Sequence, residues 1–161
     1  MKKVRWLSKQ EERTWRALQF MQLQLNAELS RQLDTESGLS YSDYVVLVAL
    51  TDRPDGRLRP FELGQILGWE KSRVSHHVTR MTNRGLVSKA VCDTDGRGGF
   101  VVISDRGRQE IEVAAPGHVE AVRRLFIDRL RPDQLEVIAE AAETVLAALE
   151  SERQTAGRST G

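Results

Sequence analysis

The 161-residue sequence predicts a mainly α-helical protein with one small β-hairpin, an α+β fold built as a single domain over residues 1–161. Most of the chain repeats apolar residues at steps of three and four, the period of an amphipathic helix. Two β-rich runs, 86–92 and 100–103, flank a segment rich in turn residues, which is the pattern of a hairpin. No run of eighteen apolar residues is present, so no membrane-spanning helix is expected.

The first helix is predicted over residues 9–33, which contain neither Gly nor Pro. Its apolar residues form more than one stripe, since Phe20 and Leu23 lie outside the stripe that includes Trp15. Such breadth indicates burial against two surfaces. The polar segment 34–38 is expected to end this helix.

The second helix is predicted to begin after Ser40, which precedes Asp43 by three residues in a near match to a capping box. The apolar run 44–50 continues the helix, and the segment 52–56 has the chemistry of a turn. Leu58 is expected to begin a short strand that pairs with the hairpin.

Two further helices follow, separated by a glycine turn. Residues 61–67 carry apolar side chains at helical spacing, and Gly68 ends them with the residue that best tolerates a left-handed stop. Over residues 71–84, Val74, Val78 and Met81 recur at i, i+4 and i+7 and form one narrow apolar stripe. The two helices and their turn give a helix-turn-helix pattern.

The other side of the 71–84 helix is wholly polar, and four of its fourteen residues are Lys or Arg while none is acidic. A narrow packing seam with a wide cationic face suits the major groove of DNA, which admits a helix. The stretch alone is equally compatible with a solvated surface helix, but the neighbouring elements favour a recognition helix. The candidate DNA-binding residues on it are Lys71, Ser72, Arg73, Ser75, His76, His77 and Arg80.

Roles within this set follow from position. Arg73 shares one side of the helix with Arg80, so one guanidinium is placed for a bidentate contact to guanine while the other meets a base or a phosphate. Lys71, Ser72 and Ser75 are better suited to phosphates at the helix start, where backbone N–H groups also point.

Gly85 ends the recognition helix, and the two β-rich runs with the tip between them, residues 93–99, predict a wing. The winged helix-turn-helix therefore covers residues 40–108. Arg97 at the tip is placed to enter a minor groove narrowed by A·T sequence. Residues 57–108 hold ten basic and five acidic groups, a net of +5, whereas residues 109–161 have a net of −4. Such a concentration of positive charge is expected where phosphates are the partner.

After the wing, Ser104 is placed to cap a helix that begins at Asp105. The pair 116–117, Pro-Gly, interrupts its pattern and leaves open one kinked helix or two abutting helices. The last helix starts at residues 131–133, and its apolar residues recur every 3.5 positions, the repeat of a helix-packing seam. The tail 152–161 is polar and is expected to be disordered.

Both terminal helical regions, 9–33 and 119–151, present more apolar surface than one small winged helix can bury. We therefore expect them to be dimerisation helices that pair with a second copy. A monomer in which these helices form a cap on the winged domain remains the alternative.

The sequence resembles the winged helix-turn-helix of the multiple-antibiotic-resistance regulator (MarR) family. The resemblance lies in Glu62-Leu63-Gly64-x-x-Leu67-Gly68, Ser72-x-Val74-Ser75, Val78-x-x-Met81-x-x-x-Gly85-Leu86-Val87 and Asp95-x-Arg97-Gly98. It covers roughly residues 10 to 150, and its motifs are specific in combination. The wing tip departs from the pattern because it has one basic residue where many relatives carry two.

This resemblance implies a two-fold dimer that binds a pseudo-palindromic double-stranded DNA operator with half-sites about 10 base pairs apart. It also implies a regulator of transcription, which is expected to be a repressor. It also implies release of DNA by a small aromatic or phenolic effector. Candidates for the effector pocket are Trp15, Met21, Tyr41, Tyr44 and His118. A constitutive DNA-binding dimer without ligand response and a winged-helix protein-interaction module remain alternatives.

Other chemistry is poorly supported by the sequence. No nucleophile and base, metal cluster or phosphate-binding loop can be assembled, so neither an enzyme nor a cofactor is expected. The pair His76-His77 points in directions about 100° apart, which disfavours a shared metal. Cys92 is expected to be a small half-buried residue at a strand end, with a redox role as the less favoured alternative. The N-terminus lacks a signal peptide, so a cytoplasmic location is expected.

Overall fold

The computed structural model describes residues 4–90 and 99–158, with side chains described up to residue 155. Within these residues the fold is mainly helical with one small sheet, as predicted. The elements in chain order are α1 (Lys9–Ser37), α2 (Tyr41–Thr51), β1 (Arg57–Leu58), α3 (Pro60–Leu67), α4 (Lys71–Asn83), β2 (Val87–Ala90), β3 (Phe100–Ile103), α5 (Asp105–Leu125), a 3₁₀ turn (Ile127–Arg129) and α6 (Pro132–Arg158).

The three strands form one antiparallel sheet in the order β1-β3-β2. Leu58 pairs with Val101, and Val87 pairs with Ile103, and all four side chains are buried. The short strand expected at Leu58 is therefore confirmed, as is the hairpin. Because β1 pairs with β3, the segment before α3 is fixed to the base of the wing.

Two predicted helix caps are confirmed. Ser40 Oγ accepts from the Asp43 backbone N–H at 3.1 Å, and Asp43 Oδ2 accepts from the Ser40 N–H at 3.1 Å, which completes the capping box of α2. Ser104 Oγ accepts from the Gly107 N–H at 2.9 Å and donates to the Gly85 carbonyl at 2.6 Å. The second arrangement ties the start of α5 to the end of α4.

Two helix ends differ from prediction. Helix α1 runs to Ser37, beyond the expected end at residue 33, because the polar residues remain helical until Gly38 adopts a φ of 67°. Helix α6 runs to Arg158, so residues 152–158 are helical rather than disordered. Their Glu, Arg, Gln and Ala side chains favour a helix, although their polarity predicted disorder. Around Pro116 the structure has one helix, α5, rather than two.

The chain divides into two compact units, residues 1–121 and 122–161. The first unit holds the core, in which α2, α3, α4 and the sheet pack together. Its largest fully buried side chains are Leu33, Leu39, Leu47, Leu50, Leu63, Met81 and Leu86. Part of α1 in this unit is apolar yet exposed, at Trp15, Leu18, Phe20, Met21 and Leu23.

The second unit consists of the end of α5, the 3₁₀ turn and α6. Helix α6 begins where the Gln134 side chain accepts from the Arg131 N–H at 3.0 Å. The predicted apolar seam lies on α6, but α6 contains no buried residue among those whose side chains are described. Its exposed large apolar residues are Val137, Ile138, Val145, Leu146 and Leu149.

Candidate nucleic-acid interface

The turn between α3 and α4 depends on two glycines. Gly68 adopts a φ of 64° and ends α3, as predicted. The Trp69 N–H then donates to the Gly64 carbonyl at 2.8 Å. A Cβ atom on Gly64 would lie 2.9 Å from the Trp69 carbonyl oxygen, so this close approach requires glycine. The turn sets the angle at which α4 leaves α3.

Helix α4 has the two faces that its sequence predicts. Val74, Val78 and Met81 are buried, each at most 3% exposed. The other face is open to solvent and carries most of the predicted DNA-binding residues. Its exposed members are Lys71, Ser72, Arg73, Ser75, His76, Thr79, Arg80 and Asn83.

His77 does not belong to this exposed set, unlike the other residues of α4 that are predicted to contact DNA. The side chain is 6% exposed, and its Nε2 lies 3.1 Å from Asp43 Oδ1. No described acceptor is aligned for a good hydrogen bond with Nε2, so the short distance reflects an electrostatic contact with the carboxylate. Asp43 at the start of α2 covers the side of α4 on which His77 lies.

Asp43 is the buried acidic group of this region. Arg84 Nη1 donates to its Oδ2, and Arg84 Nη2 donates to the Gly38 carbonyl at 3.2 Å. Burial alone would raise the pKa of Asp43, but the donors around it outweigh burial and hold the pKa far below its ordinary value. Asp43 is therefore a carboxylate at all moderate pH values and joins α2 to the middle of α4 through His77 and to its C-terminal end through Arg84.

The two arginines predicted to read DNA are each supported by a neighbouring side chain. The guanidinium of Arg73 lies 4.2 Å from the ring centroid of Trp69, a cation–π arrangement. Arg80 Nη2 lies 2.9 Å from His77 Nδ1. Both guanidinium groups are thereby held at the surface of α4 before any ligand binds.

Sequence reasoning missed basic residues on the strands beside α4. Lys89 on β2 donates through Nζ to Thr79 Oγ1 at 3.1 Å, so it adjoins the exposed face of α4. The guanidinium groups of Arg57 on β1 and of Arg59 at the N-cap of α3 lie 4.8 and 4.9 Å from the Phe100 ring centroid. The pairing of β1 with β3 brings Arg57 and Arg59 close to Phe100. The only sign of this pairing in the sequence was the short strand expected at Leu58.

The predicted wing tip lies outside the described residues. This applies to Arg97, to Asp95 beside it, to Cys92 and to most of the segment 93–99. The described base of the wing is β2 and β3, which adjoin α4 through Lys89.

A cleft of about 240 Å³ brings together three of the five residues predicted for an effector pocket. Tyr44 and His118 lie with ring centroids 4.3 Å apart, and Tyr41 is 6.4 Å from His118. Its remaining walls come from α2 and α3 and are mostly apolar. Trp15 and Met21 do not line this cleft, and both are exposed on α1.

Burial determines the titration of the cleft groups. It lowers the pKa of His118 and, with the nearby Tyr41, raises the pKa of Tyr44. His118 Nδ1 lies 3.3 Å from the side-chain oxygen of Gln32 on α1. The cleft thus offers a neutral imidazole and phenol hydroxyls against aliphatic walls at neutral pH.

Within residues 4–90 and 99–158, no group of three or more His, Cys, Asp or Glu side chains is arranged to hold a metal ion. In the same part of the chain, no helix has both the length and the apolar character needed to cross a membrane.

The fold and this surface define a winged helix-turn-helix protein of the kind that regulates transcription. A model of the MarR family matches residues 37–98. AbsC, a MarR family transcriptional regulator from Streptomyces coelicolor, is 35% identical over 92% of this chain and 99% of its own, with a TM-score of 0.86. The chain belongs to the MarR family, whose members are non-enzymatic DNA-binding transcription factors.

A second relative has been solved with its ligand. Sco3205, another MarR family transcriptional regulator from Streptomyces coelicolor, is in complex with DNA. It is 36% identical over 89% of this chain and 94% of its own, with a TM-score of 0.85. A comparison with curated protein sequences gave no match.

BpsR from Bordetella bronchiseptica shares the fold alone. It is 19% identical over 81% of this chain and 90% of its own, with a TM-score of 0.71. Its structure concerns the regulation of BpsR DNA binding by 6-hydroxynicotinic acid.

Proposed function

We propose that this chain is a dimeric, sequence-specific regulator that binds double-stranded DNA, with α4 in the major groove and the wing in the minor groove. The observation that carries the proposal is the exposed polar face of α4, on which Arg73 and Arg80 are already held by neighbouring groups. Supported guanidinium groups lose less side-chain entropy when they bind bases. The DNA complex of Sco3205 supports the same partner.

The two arginines and the surrounding residues have different proposed tasks. Arg73 and Arg80 contact base edges, whereas Lys71, Ser72 and Ser75 contact phosphates near the start of α4. Lys89, which lies beside Thr79, extends the phosphate-binding surface onto β2. Arg97 remains the proposed minor-groove contact.

The dimer is supported by exposed apolar side chains on both terminal helices. Those of α1 include Trp15 and Phe20, which are 55% and 62% exposed, and α6 has Leu146 at 60%. Covering such surfaces with a second copy releases ordered water and stabilises the pair. Two winged helices would then meet half-sites about 10 base pairs apart. Light scattering should give about twice the chain mass of 18.2 kDa, whereas a mass near 18 kDa at micromolar concentration would contradict the dimer.

The effector proposal concerns the cleft of Tyr41, Tyr44 and His118. Its volume and apolar walls suit a small aromatic or phenolic molecule whose polar group meets the imidazole or a phenol hydroxyl. The regulation of BpsR by 6-hydroxynicotinic acid supports this ligand class. Such a ligand must bind the DNA-incompetent arrangement of the protein better than the competent one. A ligand screen that leaves operator affinity unchanged would favour a constitutive DNA-binding dimer.

Repression is the proposed sign of regulation, because a dimer that occupies a promoter blocks access of polymerase. The cytoplasm is the proposed location, because the DNA partner is there. A promoter-reporter assay with and without the chain reads the sign directly. Increased reporter output on expression of the chain would contradict repression.

The test of DNA binding is fluorescence anisotropy with genomic fragments, including DNA upstream of the chain's own gene, over a series of salt concentrations. We expect one fragment to bind well above random DNA, with log affinity falling linearly in log salt. Arg73→Ala should weaken binding by about 1 to 3 kcal/mol and relax base preference. Binding no better than random with a salt slope near zero would instead indicate a protein-interaction module.

A further inference from the structure

The buried residue His77 lies between a buried carboxylate and an exposed arginine. Its Nε2 is 3.1 Å from Asp43 Oδ1 on α2, and its Nδ1 is 2.9 Å from Arg80 Nη2, one turn further along α4. Trp69 closes a third side, with its ring edge-on to the imidazole at a centroid distance of 5.2 Å. One side chain therefore connects a core carboxylate to an arginine on the exposed face of α4.

The partners of His77 determine its tautomer. Arginine is a donor only, so the contact with Arg80 requires a lone pair on Nδ1. The proton of the neutral ring is then on Nε2, where it faces the carboxylate of Asp43. A carboxylate on one ring nitrogen fixes which form the other nitrogen presents, as it does for histidines in many functional sites.

Arg80 has little else to fix its conformation. Its side chain is on the exposed face of α4, and no described carboxylate forms an ion pair with it. A free arginine would sample many rotamers, and binding to a base would have to select one of them. The contact with a buried acceptor removes part of that cost before DNA arrives.

We propose that His77 is a positioning residue for operator recognition: it holds Arg80 ready for its base through Nδ1, while Asp43 holds His77 through Nε2. This inference rests on the proposed DNA-binding function. It gives His77 an indirect role in that site, whereas the sequence predicted a direct contact with DNA. His77 itself does not touch DNA.

Two amide substitutions separate the contacts of His77. His77→Asn places a carbonyl oxygen near the position of Nδ1 and keeps an acceptor for Arg80 but loses the contact with Asp43. His77→Gln reaches the depth of Nε2 and keeps a donor to Asp43 but loses the acceptor for Arg80. Both variants remove the ring from Trp69 and each keeps one of the two contacts, so their difference shows which of the two contacts operator affinity depends on. Val78→Ala, a truncation in the buried stripe of the same helix, is the control for the effect of lost stability alone.

The measurement is operator affinity relative to random DNA for the full-length variants, together with their thermal unfolding. We expect His77→Gln to lose about three- to tenfold in operator affinity, the range for freeing one long side chain, while binding to random DNA changes little. His77→Asn should retain most of the operator affinity. In an Arg80→Ala background, His77→Gln should cause no further loss, because the two residues act as a unit.

A purely structural role for His77 predicts another pattern. Both amide variants would then lose affinity for operator and random DNA in proportion to their loss of stability, and this loss would persist in the Arg80→Ala background. Such a pattern would overturn the inference. The tautomer gives a reading without DNA: ¹⁵N NMR of labelled histidine should show an unprotonated Nδ1 in the wild-type protein at neutral pH. A protonated Nδ1 would also overturn it. If wild-type protein prefers no fragment over random DNA, the proposed function itself fails, and this is seen before any variant is made.

Discussion

Replacement of Asp43 by Asn tests whether the buried carboxylate between α2 and α4 stabilises the fold. Asp43→Asn keeps the size of the side chain and an oxygen that can accept from the Ser40 N–H. It removes the charge that faces His77 and Arg84. The change therefore isolates the electrostatic contribution from packing and from helix capping.

The expected cost follows from the exposure of the two partners. Asp43 accepts a hydrogen bond from Arg84, and a hydrogen bond between charged groups contributes about 1.5 to 3 kcal/mol, while the contact with His77 adds an electrostatic contribution. The side chain of Arg84 is 46% exposed, so water can solvate its guanidinium and offset part of the lost interaction. The side chain of His77 is 6% exposed, so water offsets little of its lost interaction. We expect Asp43→Asn to lower the free energy of unfolding by about 2 to 4 kcal/mol in total. For a chain of this length that corresponds to a fall in Tm of about 5 to 15 °C.

The assay is chemical and thermal denaturation of full-length variants at neutral pH. The matched control is Asp55→Asn, because Asp55 also accepts from an arginine, Arg57, at 2.7 Å but is 54% exposed. The control should unfold at the same midpoint as the wild type, since exposed ion pairs contribute little. Equal shifts for the two variants would show that burial does not set the strength of these contacts and would refute the reasoning.

The same carboxylate gives a pH dependence with a definite sign. The pKa of Asp43 in the folded chain is far below its ordinary value of 3.8. Its stabilisation is therefore complete above that ordinary value and is lost as pH falls toward the folded pKa. The stability gap between the wild type and Asp43→Asn should stay constant at higher pH and narrow below about pH 4. A gap that widens on acidification would contradict this assignment.

Three further changes have outcomes that the structure determines. Gly107→Ala places a Cβ atom 2.2 Å from the Leu86 carbonyl oxygen and should destabilise the fold by about 1 to 3 kcal/mol in urea denaturation. Gly117→Ala, whose Cβ atom meets only flexible side-chain ends, should cost much less. Similar costs for the two variants would contradict the backbone clash at Gly107. Because burial lowers the pKa of His118 from 6.5, its contribution to stability is complete above pH 6.5 and is lost as pH falls through the folded pKa. The His118→Gln variant should therefore show a flatter stability profile on acidification from pH 6.5, and an unchanged profile would contradict the burial effect. Lys89→Ala should weaken binding to operator and random DNA alike and reduce the salt slope by about 1, and a loss confined to the operator would show that Lys89 reads bases.

The sequence predicted the parts of the fold that depend on local chemistry. The capping box of Ser40 and Asp43, the left-handed stop at Gly68 and the apolar stripe of α4 all follow from residues within a turn or two of each other. The position of His77 could not be obtained in this way. Its burial depends on Asp43, which is 34 positions earlier in the chain and reaches α4 only through tertiary packing. Lys89 was missed for a similar reason, since strand pairing places it beside Thr79.

The end of α6 shows a different limit. Residues 152–158 are polar, and polarity was used to predict disorder, yet they continue a helix of 27 residues. Polar composition describes what a segment cannot bury, whereas helix propensity describes the backbone conformation it prefers. The two criteria diverge for a segment that extends an existing helix, because no new nucleus is required.

Helix α2 links the cleft to the DNA-binding face through neighbouring residues. Tyr41 and Tyr44 face the cleft, while Asp43, one position from Tyr44, reaches His77 on α4. All three lie in the first turn of α2, whose position is fixed by the capping box with Ser40. Any ligand that displaces this turn also displaces Asp43, and a shift of a few tenths of an ångström alters a contact as short as 3.1 Å. The residues proposed to recognise an effector and the residue that contacts His77 therefore lie in one turn of helix.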